Sequence, residues 1–84
     1  MEARFKPIAD HALLVSFAED ISDDAHALVV ALDKALAAQP PAGMIETVPA
    51  LVNILIDFDP LATDHKTLET TIRQHLSGLR PEVI

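Results

Sequence analysis

Between Leu51 and Phe58 the chain alternates: Val52, Ile54, Ile56 and Phe58 fall on one side of an extended backbone, and Leu51, Asn53, Leu55 and Asp57 on the other. A segment fully apolar on one side and half polar on the other reads as a central strand with one buried and one wetter face. Asp59-Pro60 closes it, because proline cannot donate to a ladder and restricts the residue before it. A strand of this kind needs neighbours along both edges and a cover for its apolar face.

The rest of the chain supplies both. Ala12 to Phe17 alternates in the same way, with Leu13, Val15 and Phe17 on one face. Arg4 to Ile8 is a shorter extended segment interrupted by Pro7, which suits a sheet edge. Ala9-Asp10-His11 between them predicts a tight turn, with Asp10 bonding back to nearby amides. A further strand is expected from about Met44 to Val48, before Pro49-Ala50 breaks the pattern.

Two stretches carry helical spacing instead. Ser22 reads as an N-cap, and Asp23 and Asp24 follow where the helix dipole favours negative charge. Ala25, Leu28, Val29, Leu32 and Leu36 then form one apolar stripe, and Pro40-Pro41 with Ala42-Gly43 ends the helix. A second helix starts near Thr63 or Asp64; Leu68, Ile72, Leu76 and Leu79 form its stripe, and Pro81 forbids its continuation.

The order is therefore β-β-α-β-β-α. Two helices with one apolar stripe each need one sheet face, so the expected fold is an α+β two-layer sandwich: an antiparallel sheet with both helices on one side. The competing order is ferredoxin-like β-α-β-β-α-β, which requires Arg4–Ile8 not to be a strand and Glu82-Val83-Ile84 to be one. The uncovered face, with Leu14, Leu51, Asn53 and Leu55, is the candidate interface.

Composition narrows the function. With 84 residues, half of them apolar, the chain reads as one domain over 1–84. Six Lys and Arg against 13 Asp and Glu give a net charge of −7, which repels phosphate backbones and argues against nucleic acid. The absence of cysteine excludes disulfides, thiolate nucleophiles and cysteine zinc sites. No apolar run is long enough to span a bilayer, and Met1-Glu2-Ala3-Arg4 lacks the apolar core of a secretory signal, so a cytoplasmic location is expected. Three Phe and no Trp or Tyr leave the core to aliphatic side chains, which either pack well alone or borrow surface from a partner, a second copy included.

Candidate chemistry is sparse. His11, His26, His65 and His75 show no i, i+4 pair and no cysteine companion, so surface histidines are expected rather than a metal site. Asp57 and Asp59 flank Phe58 and point to one side, as paired acid–base carboxylates do, but an Asp at a strand end before proline also serves turn chemistry. Glu19-Asp20 and Asp23-Asp24 read as a solvated loop and helix start, or as the contact for a basic partner. Gly43 and Gly78 are too far apart for a phosphate loop, and Ser16, Ser22 and Ser77 lack a Gly-flanked elbow. No catalytic, cofactor-binding or metal residue is assigned.

The stretch from Pro7 through Asp10-His11-Ala12-Leu13-Leu14-Val15-Ser16-Phe17 resembles the opening of the KipI-like family, also called allophanate hydrolase subunit 1 or the B-type subunit of 5-oxoprolinase. The similarity continues through Ile21, the helix at 23–38, the run 41–50 from Pro41-Ala42-Gly43, and Leu55-Ile56-Asp57-Phe58-Asp59-Pro60-Leu61. Three departures stand out. Ala9 replaces a usual glycine, which lowers the expectation of a positive φ there. Ser16 replaces an acidic residue, and Val52-Asn53 stands in place of Arg-Ser, so no arginine contact carries over.

The resemblance covers the family's N-terminal domain; longer members continue into a cyclophilin-like barrel, so a truncated form or a stand-alone version is implied. It implies a DCoH-like two-layer fold and an interaction or scaffold role, without catalysis by this chain alone. The partner would be a KipA-like protein, the C-type subunit in ATP-dependent 5-oxoproline cleavage, with ATP bound by the full complex. The alternative is inhibition of a sensor histidine kinase.

Overall fold

The computed structural model describes residues 3–79. Its elements run β1 (Arg4–Ile8), β2 (Ala12–Ser16), α1 (Asp23–Ala38), β3 (Met44–Pro49), β4 (Asn53–Phe58) and α2 (His65–Ser77). The four strands form one sheet in the order β1-β2-β4-β3, every neighbouring pair antiparallel. This is the β-β-α-β-β-α sandwich that the two apolar stripes require. The ferredoxin-like order is set aside because Arg4–Ile8 is a strand; Glu82-Val83-Ile84 lies outside the described residues.

Both helices begin where their caps predict. The Ser22 hydroxyl accepts from the Ala25 amide at 3.2 Å, and the Asp64 carboxylate accepts from the Thr67 amide at 2.7 Å, each satisfying a donor left free by the first turn. Helix α1 ends at Gln39, whose amide bonds back to Ala35 O before Pro40-Pro41 prevents another turn.

The core lies between the sheet and the helices. Leu13, Val15 and Phe17 from the β2 segment and Ile54, Ile56 and Phe58 from β4 are buried together with Ala25, Val29, Leu32 and Leu36 of α1 and Leu68 and Ile72 of α2. Val52, Leu28, Leu76 and Leu79 pack against the cluster from its margin. Phe5 closes one side, with the Arg73 guanidinium of α2 4.4 Å above its ring centre. No polar residue is buried among the described residues, so the layer is held by aliphatic and phenyl burial.

Three local expectations are corrected. Ala9 does adopt a positive φ, 51°, despite its Cβ: the Ile8↔Ala12 pairing forces the three-residue turn between β1 and β2 to close there. Asp10 does not tie that turn through the amides; its carboxylate faces the His11 ring nitrogen at 3.2 Å on the surface. Leu51 and Val52 precede β4 in a bend closed by Ala50 N–H donating to Asn53 O at 2.8 Å, so the ladder starts two residues later than the alternation suggests. Pro7 and Pro49 are tolerated because β1 and β3 are both edges.

Candidate interaction surface

Strand register decides what the face away from the helices looks like. Phe5, Val15, Ile54 and Pro49 lie opposite one another on the helix side, as do Pro7, Leu13, Ile56 and Thr47. The alternate residues form three rows on the open side. The middle row is Lys6, Leu14, Leu55 and Val48. One flanking row is Ile8, Ala12, Asp57 and Glu46; the other is Arg4, Ser16 and Asn53.

The structure therefore brings Leu14, Leu55 and Asn53 together, Leu14 directly opposite Leu55. Leu51 does not join them. It sits in the β3–β4 bend, 55% exposed, and lines a shallow groove with His26, Val30 and Lys34 of α1. Its removal from the open face follows from the bend, which breaks the period-two alternation before β4. Lys6 and Val48 are the members of the middle row that the sequence reading missed. Their faces depend on pairing partners, and in β3 an irregularity between Met44 and Glu46 resets the alternation at Ile45.

Charge on this face is segregated. Arg4 and Lys6 stand along the β1 edge, while Asp57 and Glu46 occupy the diagonally opposite corner. Arg4 Nη1 also donates to Glu19 Oε1 at 2.8 Å, both side chains well exposed. Beside that pair a depression of about 660 Å³ opens, lined by Arg4, Lys6, Leu14, Ser16, Glu19 and Asn53 among others.

The titratable candidates are accounted for by structure. Asp59 accepts from the Leu61 amide at 2.9 Å, which is turn chemistry, while Asp57 lies in the β4 ladder on the open face. The two carboxylates thus serve different surroundings. Two of the histidines are more than surface residues, contrary to the expectation. His65 Nε2 donates to Ala12 O at 3.0 Å and its ring meets Phe58 edge-on at 5.0 Å, anchoring the start of α2 to β2 and β4. His75 has Nε2 3.1 Å from Gln39 O and Nδ1 3.2 Å from Thr71 O. A neutral ring, with one N–H, can donate to only one of these carbonyls. These roles were illegible in sequence because each acceptor is a backbone carbonyl, Ala12 and Gln39 being remote along the chain. Among the described residues no group of three or more His, Asp or Glu is placed to hold a metal, and no helix is long and apolar enough to cross a membrane.

The model of the family described as carboxyltransferase domain, subdomain C and D, matches residues 3–83. The chain belongs to this family. Among solved structures, the carboxyltransferase-domain chain is similar to the conserved protein PH0987 from Pyrococcus horikoshii, with 31% identity and a TM-score of 0.79 over 88% of this chain and 34% of that one. It is similar to TTHA0988, with 27% identity and a TM-score of 0.71 over 87% of this chain and 14% of that one. The N-terminal domain of the histidine kinase inhibitor KipI from Bacillus subtilis shares the fold, with 19% identity and a TM-score of 0.73 over 90% of this chain and 85% of that one. The domain thus spans about a third of the Pyrococcus protein's length. Nothing among curated proteins matches it. Family and fold agree with the KipI-like resemblance read from the sequence.

Proposed function

We propose that this chain is a non-catalytic interaction and scaffold domain of an ATP-dependent 5-oxoprolinase complex of the allophanate hydrolase type, working in the cytoplasm with a KipA-like protein. The observation that carries the reading is the open sheet face, where Leu14 and Leu55 lie side by side between Lys6 and Val48 while both helices cover the opposite face. Half-buried Leu14 and Leu55 beside exposed Val48, on a face that neither helix covers, suit a contact surface. The carboxyltransferase-domain family supports the hydrolase context. Inhibition of a sensor histidine kinase is the second reading, favoured by the shared fold with the KipI N-terminal domain.

Co-purification decides between them. The first reading expects the chain to retain a KipA-like protein, and Leu55→Glu to release it; retention of a histidine kinase's dimerisation helices instead would favour the second. ATP- or 5-oxoproline-dependent turnover by the purified chain alone would overturn the non-catalytic assignment.

A further inference from the structure

We infer that a second copy of this chain docks on the open sheet face, the two sheets stacked face to face with their strands crossed at nearly a right angle. The inference rests on reading that face as a contact surface and adds which partner covers it.

Charge runs diagonally across this face. A two-fold axis lying between two such sheets turns each face over onto the other, and its direction decides which residues meet. An axis along the strands sets the β1 edge against the partner's β3 edge within the same row, so Lys6 meets Val48. An axis across the strands sets the β1 edge against itself, so Arg4 meets Ile8. An axis on the diagonal between those directions exchanges the Arg4–Lys6 corner with the Asp57–Glu46 corner. It places Lys6 against the partner copy's Asp57 and Arg4 against its Glu46, twice over by symmetry. The same operation lays Leu14 close to the partner copy's Leu55 at the centre and sets Ile8 against the partner copy's Ile8 at the corner on the axis. The resulting crossing is the orthogonal arrangement common in sheet packing.

Arg4 retains free guanidinium donors beyond the single N–H given to Glu19, and it is 77% exposed. Four strands and three residue rows bury on the order of 1,000 Å² over both copies, the small end of specific interfaces. The dimer is therefore weak and forms at high protein concentration.

Sedimentation equilibrium tests it, with circular dichroism confirming that each variant folds. The wild type should self-associate as concentration rises to about 1 mM. Lys6→Glu and Asp57→Lys should each weaken association about tenfold or more, because each sets like charges together twice. Mixing these two variants should restore a heterodimer within about threefold of the wild-type affinity, since both contacts then pair opposite charges. A strictly monomeric wild type overturns the inference, as does a mixture no tighter than its components. If the wild type stays monomeric while Leu55→Glu still releases a partner protein, the second copy is excluded and the contact surface stands.

Discussion

The Thr47 hydroxyl of β3 donates to the Asp33 carboxylate of α1 across 2.6 Å. It is a half-buried side-chain bond at the margin of the core, and it ties the edge strand to the helix above it. Thr47→Val keeps the shape but leaves the half-buried carboxylate without its donor. The expected loss is about 1–2 kcal/mol, less than a fully buried charge-assisted bond because water reaches the site. Urea unfolding should show a lowered midpoint at unchanged slope, and Thr47→Ser should recover most of the loss.

Phe58 is 1% exposed, with core side chains from β2, α1 and α2 around it and His65 against its ring edge. Phe58→Ala should cost about 3–5 kcal/mol, a large share of the stability of so small a domain. Thermal or urea unfolding measures it. A cost under about 1 kcal/mol would mean that the β4 side chain is not central to the core.

The positive φ of Ala9 predicts a stabilising substitution. Ala9→Gly relieves the Cβ contact of the left-handed conformation at some cost in unfolded-chain entropy, for a net gain of about 0.5–1 kcal/mol. Gly43 predicts the opposite. Its φ is 85°, and a Cβ there would sit 2.7 Å from Thr63 Cγ2, so Gly43→Ala should cost about 2–4 kcal/mol. Melting temperatures of the two variants should move in opposite directions.

Acid should act through the cap of α2. The Thr67 amide, followed by the Thr67 side chain, holds the Asp64 carboxyl below its ordinary value of 3.8. The folded state therefore binds this proton less readily than the unfolded chain. The contribution of Asp64 is fully present above 3.8 and is lost as pH falls through the lowered folded value. Asp64→Asn should flatten the acid limb of the stability profile and leave its slope near neutrality unchanged.

Much of the fold is legible along the chain because it depends on local periodicity. The alternation at 52–58 marks the core face of β4, the stripe from Ala25 to Leu36 marks that of α1, and Ser22 and Asp64 mark two helix starts. Each signal lies within a few residues and reports one element's amphipathic geometry. The candidate surface was half legible: Leu14, Leu55 and Asn53 follow from alternation alone, since a buried face implies its opposite.

Tertiary structure decided the rest, because it depends on pairing between segments far apart in sequence. Register set Lys6 and Val48 beside the two leucines and the charges on a diagonal; a one-residue slip would move each to the other face. Hairpin closure forced Ala9 into positive φ and carried Leu51 around to α1, overriding local preferences worth about 1–2 kcal/mol. The carbonyls of Ala12 and Gln39 became partners for His65 and His75 only when the helices settled on the sheet. Amphipathic period is a property of each segment, whereas register and long-range hydrogen bonds are properties of pairs that the chain makes only by folding.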